Sequence, residues 1–228
     1  MATPTIEEYL ETIYVIAAEN LPVRSARVAE VMGVSAPTVT DTVKRLIQQG
    51  YVTLGKGKEI LLTDDGRQAA ESLVRRHRLS ERWLVDVLGM DWSKVHDEAC
   101  RLEHALSAEV EERLARSLNS PSTCPHGNPI PGYDFQPPTG RPLAQLDAGR
   151  EATLLRISPE GEKDSRLLDY LKECGIVPGT RIRVLEVAPW KGLVTVEVGE
   201  RAAPIGIDAA SYLWGLPVDQ PDPSLQRG

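Results

Sequence analysis

The chain has 228 residues, of which 41% are hydrophobic and 26% charged, and its formal net charge is −7 at pH 7. Its apolar runs fall short of the roughly 18 residues that a membrane-spanning helix needs, and its acidic N-terminal segment lacks the apolar core of a signal peptide. We therefore expect a cytoplasmic protein with no membrane contact, whose three cysteines are reduced thiols rather than a disulfide framework.

The elements predicted over residues 1–72 are those of a winged helix–turn–helix domain. Apolar residues recur at helical spacing over 5–19, and two further helices are predicted over 25–32 and 36–49. The following segment, 51–63, contains two short apolar runs around a Gly-Lys-Gly-Lys turn, which is typical of a β-hairpin with a basic tip. A helix, a helix–turn–helix and a hairpin follow one another in this order in winged-helix proteins.

The helix over 36–49, capped by Ser35, is the predicted DNA-reading element. The net charge of the whole chain disfavours nucleic acid, but residues 21–58 include six basic side chains and only two acidic ones. Because salt screens charge over about 10 Å at 0.1 M, the charge of this segment, and not that of the whole chain, determines whether it can bind DNA. The candidate DNA-binding residues are Arg27, Ser35, Pro37, Thr38, Asp41, Lys44, Arg45, Lys56 and Lys58. Alternatively, these residues only cap and solvate a helix–turn–helix that binds another protein.

The rest of the chain is predicted to be helical at first and then β-rich. One long helix is expected over 64–88 and another over 96–118. Residues 119–150 contain seven prolines, which predict a rigid, extended connector. Beyond it, alternating apolar and polar residues predict about five short strands around a helix over 165–174, a pattern that suggests a small antiparallel barrel.

Metal-binding side chains are concentrated between residues 76 and 104, where three of the four histidines lie. One predicted helix face there carries His96, Cys100, Glu103 and His104. At 100° per residue these four side chains fall within an arc of roughly 100°. His77 and Glu81 form a second pair, one helical turn apart. Imidazole, thiolate and carboxylate bind first-row divalent metals, so the pattern favours a metal site over a polar surface with unrelated histidines.

Three motifs extend this pattern: His-Arg-Leu-Ser-Glu-Arg at 77–82, Lys-Val-His-Asp-Glu-Ala-Cys-Arg-Leu-Glu-His at 94–104, and Pro-His-Gly-Asn-Pro-Ile-Pro-Gly at 125–132. Together they resemble the diphtheria-toxin-repressor family of iron- and manganese-dependent bacterial transcriptional regulators, and the resemblance covers essentially the whole chain. It implies a homodimer that binds an inverted-repeat operator in double-stranded DNA. Mn(II) or Fe(II) would act as co-repressor, with two or more ions per subunit, and the regulated genes would serve metal homeostasis.

The resemblance also implies a regulatory metal site. Its ligand set would be Glu8, Glu11, His77, Cys100, Glu103 and His104. The first-helix ligand is Met in iron-type members and Asp in manganese-type members, and Glu8 holds that position here. Glu11 matches a carboxylate of the manganese type, whereas Cys100 is the iron-type choice. Oxygen ligands favour Mn(II) and thiolate favours Fe(II), so the hybrid leaves the metal open and leans towards manganese.

A second, ancillary site is implied in one of two forms. The iron-type form uses His77, Glu81 and His96, but Leu167 replaces the glutamine that iron-type members supply. The form found in some manganese-type members uses Glu81, Cys124, His126 and an acid of the barrel. Asp164 is the best-aligned acid and Glu162 the alternative, unless both are solvated surface charges.

The predicted fold class is therefore mainly α with β, in three domains. Residues 1–72 form a winged helix–turn–helix DNA-binding domain, and residues 73–140 form a helical dimerisation and metal-binding domain. A Pro-rich linker over 141–150 leads to a small antiparallel β-barrel over 151–218. Residues 219–228 form a flexible tail. No catalytic residues are expected, because neither an HExxH motif nor a nucleophile with an oxyanion loop is present. Two alternatives are a winged-helix regulator that senses redox state through its cysteines and, less favoured, a metalloenzyme.

Overall fold

The computed structural model describes residues 4–19, 21–132 and 140–218. The chain forms two compact units, Met1–His77 with Leu102–Leu106 and Arg78–Arg101 with Ser107–Gly228. The tail expected over 219–228 lies outside the described residues. Within them, no helix is both long and apolar enough to cross a membrane.

The first unit is a winged helix–turn–helix, as the sequence predicted. It contains α1 (Pro4–Ala18), α2 (Ser25–Met32), α3 (Ala36–Gln48), β1 (Val52–Leu54), β2 (Ile60–Leu62) and the beginning of α4 (Asp64–Asp86). The two strands pair antiparallel as the wing, with Val52 opposite Leu62. One apolar core, which includes Leu10, Val39 and Leu46, holds these elements together.

Local signals in the sequence set the ends of the reading helix. Gly33 ends α2 at a φ of 64°, a left-handed conformation that glycine adopts without strain. The Ser35 side chain caps α3 by accepting a hydrogen bond from the backbone N–H of Thr38. The resulting turn between α2 and α3 leaves the first turn of α3 on the surface, where Pro37 and Thr38 are exposed.

The helical part of the second unit departs from the prediction. The single helix expected over 96–118 is two helices, α5 (Val95–Leu102) and α6 (Ala108–Ser117). Ser107 causes the second helix to begin where it does, because its side chain caps α6 by accepting from the backbone N–H of Val110. The turn between the two helices contains Glu103 and His104, so these residues do not continue the helix face of Cys100.

The C-terminal region is an antiparallel sheet with helices. Its strands are β3 (Arg141–Pro142), β4 (Glu151–Ile157), β5 (Arg181–Ala188), β6 (Leu193–Val198), β7 (Arg201–Gly206) and β8 (Leu213–Pro217), and its helices α7 (Pro159–Glu162), α8 (Ser165–Glu173) and α9 (Ile207–Ser211). The strand order is β3-β8-β4-β5-β6-β7, so β3 and β7 are the edge strands and each pairs on one side only. The predicted small barrel is therefore an open sheet in the described residues, and α8 buries Leu168 and Leu171 in its core.

In its described residues, 119–132 and 140–150, the proline-containing segment is not the extended connector that its composition predicted. Its first part folds back on itself through a bridge between Thr123 and Pro129. It then joins the sheet region, because Ile157 donates its backbone N–H to the carbonyl of His126 at 2.9 Å. Tertiary hydrogen bonds outweigh the extended preference of proline here. Residues 133–139 lie outside the described part of the chain.

Candidate metal centre and nucleic-acid interface

The predicted DNA-binding residues lie on the surface of the first unit. Side chains on the outer face of α3 and on the wing are exposed, namely Ser35, Pro37, Thr38, Asp41, Lys44, Arg45, Lys56 and Lys58. The opposite face of α3 buries Val39 and Leu46. Arg27 is half-buried and pairs with Glu30 at 2.9 Å. An amphipathic helix with an exposed N-terminal turn and a basic wing tip has the geometry of a DNA major-groove reader.

A first group of metal-type ligands lies within the first unit. Ligand atoms of Glu11, His77 and Glu103 lie within 4.8 Å of one another. His77 and Glu103 are buried, and their Nδ1 and Oε2 atoms are 2.6 Å apart. Glu103 reaches the group because the chain turns after α5 instead of continuing as a helix.

Glu7 contacts His104 beside this group, and the sequence reasoning missed it. Its Oε2 lies 2.9 Å from Nδ1 of His104, and its Oε1 lies 3.6 Å from a guanidinium nitrogen of Arg76. Glu8, the expected first-helix ligand, is exposed. The sequence spacing could have indicated this, because Glu7 and Glu11 are four residues apart and so lie on one face of α1.

A second group lies wholly within the second unit and is fully buried. The ligand atoms of Glu81, Cys124, His126 and Glu162 lie within 4.8 Å of one another. The Nδ1 atom of His126 is 3.5 Å from Oε1 of Glu81 and 3.5 Å from Oε1 of Glu162. The thiol of Cys124 lies 3.8 Å from the same oxygen of Glu162. Helix α4, the folded proline segment and α7 each supply part of this set.

The loop that carries Cys124 and His126 depends on a glycine. Gly127 has a φ of 86°, and an added Cβ would lie 2.0 Å from the backbone oxygen of Leu155 in β4. Any other residue would therefore push the loop away from the strand. Because Gly127 permits this close approach, His126 can enter the buried cluster while its backbone pairs with Ile157.

Trp92 fixes the orientation of the His126 ring. The backbone carbonyl of Trp92 accepts a hydrogen bond from Nε2 of His126 at 2.9 Å, and the indole stacks on the imidazole with centroids 5.2 Å apart. Hydrogen bonds to α8 hold the segment around Trp92 in place: Ser93 donates to Asp169 at 2.6 Å, and Asp91 accepts from Lys172 at 2.7 Å. The hydrogen bond from Lys172 lowers the pKa of Asp91. Nε2 is thereby committed as a donor, and Nδ1 faces the acids.

The barrel acid that enters the cluster is Glu162, whereas the resemblance favoured Asp164. Asp164 caps α8, where its carboxylate accepts hydrogen bonds from the backbone N–H groups of Arg166 and Leu167. Its side chain is 52% exposed, whereas that of Glu162 is 4% exposed. The two acids are separated by the turn between α7 and α8. The spacing in the sequence did not show on which side of that turn the cluster lies.

His96, also expected as a ligand, lies at the edge of this unit's acidic group. Its Nδ1 is 3.8 Å from Oε1 of Glu81, and its Nε2 is 3.8 Å from the thiol of Cys100. The residue Cys100 is exposed, and His96 is half-buried. The pair keeps the one-turn spacing on α5 that the sequence predicted.

Burial and charge set the protonation of the buried centre. Burial lowers the pKa of the His126 imidazole, but the carboxylates of Glu81 and Glu162 outweigh it and raise that pKa from 6.5 to about 12. Burial, with the same two carboxylates, raises the pKa of the Cys124 thiol from 9.0 to about 11. Without a metal, His126 is therefore a cation that neutralises part of the acidic charge, and Cys124 is a neutral thiol.

The buried centre fits a divalent transition metal. The buried Nδ1 of His126 has no hydrogen-bond partner among the described residues, although two carboxylates and a thiol surround it. A nitrogen, a sulfur and two carboxylates form a mixed donor set that suits Mn(II), Fe(II), Co(II) or Zn(II). Glu81, Cys124, His126 and Glu162 would hold the ion.

A winged helix with an exposed reading face, on a chain with buried carboxylate, imidazole and thiol groups, defines a metal-responsive DNA-binding protein. Three family models match the chain: the iron dependent repressor N-terminal DNA binding domain over 1–60, the iron dependent repressor metal binding and dimerisation domain over 63–132, and the FeoA domain over 141–215. The chain belongs to the iron-dependent repressor family, which includes the diphtheria toxin repressor.

Curated relatives and solved structures agree with this assignment. The chain is 39% identical over 206 residues to the iron-dependent repressor IdeR of Mycobacterium tuberculosis, covering 86% of this chain and 89% of that protein. It is 47% identical over 130 residues to the diphtheria toxin repressor of Corynebacterium diphtheriae, covering 57% and 58% of the two chains. A solved manganese-dependent transcriptional repressor in complex with manganese has 37% identity and a TM-score of 0.81, over 93% of this chain and 100% of that chain.

A second solved structure, ScaR with bound Cd2+, has 30% identity and a TM-score of 0.78, over 92% of this chain and 98% of that chain. The prediction of a metal-dependent, DNA-binding transcriptional regulator is thereby confirmed, with dependence on iron or manganese. The family consists of DNA-binding repressors, so the metalloenzyme alternative is excluded.

Proposed function

We propose that the chain is a homodimeric, cytoplasmic repressor in which two or more metal ions per subunit control binding to an inverted-repeat operator near metal-homeostasis genes. The observation that carries this proposal is the buried set Glu81, Cys124, His126 and Glu162, on a chain that also has an exposed reading helix. Two structural relatives, a manganese-dependent transcriptional repressor and the manganese regulator SloR, support Mn(II) as the physiological ion. Fe(II), named for the curated relatives, is the alternative.

The regulatory ion would bind at the group in the first unit. Glu11, His77 and Glu103 support it because their ligand atoms already lie within 4.8 Å of one another. His104 lies beside Glu103, with Nε2 3.3 Å from its Oε1. The resemblance adds Glu8 and Cys100 to the ligand set. An ion there would neutralise the acids and hold α1 against the turn that carries Glu103, which fixes the base of the reading domain.

The second ion would bind at Glu81, Cys124, His126 and Glu162. The helix α4, the proline segment and α7 would then be tied by one ion, so binding would stiffen the second unit. To raise the fraction of dimers in the DNA-binding state from 1% to 99%, the metal must bind that state more tightly by about 5.5 kcal/mol. With two ions per subunit the dimer binds four ions, and together they supply this difference in binding free energy. Each ion therefore needs to favour the DNA-binding state only modestly.

Exposed apolar side chains in the second unit support a dimer. Val87 and Leu88 are 58% and 53% exposed at the end of α4, whereas the neighbouring Leu84 is buried at 4%. Adjacent large apolar residues on the surface gain free energy when another surface covers them, and a second subunit would do so here. A two-fold dimer would present two reading helices to half-sites about one helical turn, roughly 34 Å, apart on the DNA, or a multiple of it.

The test is recovery of sheared genomic DNA by the purified protein, in the absence of oxygen, with Mn(II), Fe(II), Zn(II) or a chelator. We expect a few discrete fragments to be enriched only with metal, and the lowest effective free-metal concentration to rank the ions. The variant Glu11→Ala should lose this enrichment. Glu112→Ala, an exposed residue of α6, is the matched control and should retain it.

Two results would contradict the proposal. Equal enrichment with chelator would leave a DNA-binding protein without a metal switch and would favour the redox-sensing alternative, in which thiol oxidation controls binding. If Glu11→Ala still shows metal-dependent enrichment, α1 does not contribute Glu11 to a regulatory metal site. A parallel titration with peroxide, in the presence of chelator, separates the redox alternative from the metal-gated one.

A further inference from the structure

Asn128 lies beside the buried metal centre and uses every polar atom of its side chain. It is 1% exposed. Its Nδ2 donates to the backbone carbonyl of Ile157 at 2.6 Å and to the carboxylate of Glu162. Its Oδ1 accepts from a guanidinium nitrogen of Arg156 at 3.2 Å. A primary amide has two N–H donors and a carbonyl oxygen with two lone pairs, so both donors and one of the two acceptor positions are used.

Arg156 determines which way round this amide lies. A guanidinium group donates and never accepts, so it must face the oxygen of Asn128. The amide nitrogen is then left to face Glu162. Arg156 is itself held over the ring of Trp214, 4.3 Å from its centroid. The reverse orientation would set N–H groups against the guanidinium and an oxygen against the carboxylate, both of which are repulsive.

The hydrogen bond from Asn128 falls on the oxygen where the cluster converges. Oε1 of Glu162 receives it, and the same atom lies 3.5 Å from Nδ1 of His126 and 3.8 Å from the thiol of Cys124. Glu162 is the last residue of α7, a helix of four residues that gives its side chain little support. The amide therefore supplies a constraint on the carboxylate that the backbone does not.

We propose that Asn128 is a positioning residue of the buried centre. It holds the Glu162 carboxylate in the orientation in which one oxygen faces Cys124 and His126, and Arg156 fixes the amide that does so. This inference rests on the proposed metal binding by Glu81, Cys124, His126 and Glu162. Asn128 is not itself a ligand, because its oxygen is committed to Arg156 and its nitrogen cannot bind a cation.

The size of the effect follows from the role. Loss of a partner that orients a metal ligand costs about 10- to 100-fold in metal affinity. The isosteric change Asn128→Asp keeps the shape of the side chain and its acceptor for Arg156, but it replaces the donor with a second carboxylate oxygen facing Glu162. The side chain of Glu162 should then rotate away, and binding should weaken within that range.

The experiment uses Co(II) as the probe in the absence of oxygen, in the full chain with Cys100→Ser as background. With Cys100 removed, a thiolate-to-Co(II) charge-transfer band reports on Cys124. We expect the background protein to show this band, and Cys124→Ser to remove it. Asn128→Asp should shift its midpoint to about 10- to 100-fold higher free Co(II) and change the d–d bands, which report coordination geometry. Asn119→Asp, the same change at an exposed asparagine, should match the background.

The outcomes separate the inference from the proposal on which it rests. If the background protein gives no band that depends on Cys124, the proposed metal binding at this centre is wrong, and so is the role of Asn128 in it. If Glu162→Gln weakens Co(II) binding while Asn128→Asp leaves both the midpoint and the spectrum unchanged, the centre stands and the positioning role is overturned.

A second variant covers the case in which Asn128→Asp does not fold. Arg156→Met removes the donor that orients the amide, keeps an apolar stem against Trp214 and leaves Glu162 and Asn128 in place. It should raise the Co(II) midpoint by less than Asn128→Asp but in the same direction, with circular dichroism like that of the background. An unchanged midpoint and spectrum in a folded Arg156→Met variant would overturn the proposed orienting chain.

Discussion

The buried centre should take up its ion in exchange for two protons. At pH 7.5 the His126 imidazole, with a pKa of about 12, and the Cys124 thiol, with a pKa of about 11, are both protonated in the metal-free protein. Each must lose its proton before its nitrogen or sulfur can bind a cation. Because metal and proton compete, metal affinity should rise with pH throughout the range below both pKa values.

The magnitude follows from the number of protons. Release of two protons per ion makes the affinity rise about 100-fold for each pH unit, which corresponds to about 2.7 kcal/mol at 25 °C. From pH 6.5 to 8.0 the affinity at this centre should therefore change by about a thousandfold. A centre with a neutral imidazole of ordinary pKa would lose only the thiol proton over most of this range, with a slope near ten per unit.

The assay is a chelator competition for Co(II), monitored by the Cys124 thiolate band in the Cys100→Ser background at several pH values. A matched measurement with Cys124→Ser, monitored by a metal-sensitive indicator, should give a slope reduced by one proton. Calorimetry in two buffers of different ionisation enthalpy gives the proton count independently. Release of only one proton per ion, a tenfold change in affinity per pH unit, would refute the claim that Glu81 and Glu162 keep His126 protonated. An affinity that does not change with pH would refute the protonated states of both His126 and Cys124.

Three further changes have defined outcomes. Gly127→Ala should abolish the Cys124–Co(II) band without altering any ligand, because its Cβ would lie 2.0 Å from the Leu155 oxygen; a normal band would contradict this. Thr38→Ala should weaken operator binding by about 1–3 kcal/mol in metal-replete gel shifts while leaving non-specific binding unchanged; an equal loss on both DNAs would remove it from base reading. Leu10→Ala, fully buried in the first core, should lower the free energy of unfolding by about 2–5 kcal/mol in denaturant titrations; a loss below 1 kcal/mol would contradict its place there.

The elements of the first unit could be predicted because local signals agree with the tertiary structure. Ser35 caps α3, Gly33 ends α2, and the apolar spacing of α1 and α3 matches the faces that are buried. Short-range chemistry determines each of these boundaries, so the sequence contains the information. The one-turn spacing of His96 and Cys100 on α5 could be predicted in the same way.

The failures lie where helical periodicity masked a local cap, or where pairing between distant segments set the structure. The periodicity over 96–118 is helical throughout, yet the Ser107 cap begins a new helix and places Glu103 in a turn. The choice between Asp164 and Glu162 depended on where α7 ends, and a cap at Asp164 removed it from the cluster. The open edges of the sheet follow from strand pairing between distant segments, which alternation alone does not encode.

Charge balance explains why the buried centre can exist both with and without its ion. In the metal-free state the two carboxylates and the His126 imidazolium leave one net negative charge. With a divalent ion, the carboxylates, the Cys124 thiolate and the neutral imidazole again leave one net negative charge. The exchange of two protons for one divalent cation therefore changes no net charge in a site that water does not reach, and the burial cost is similar in both states. Replacement of His126 by a neutral side chain would break this balance in the metal-free protein first, because Glu81 and Glu162 would then be buried without a counter-charge.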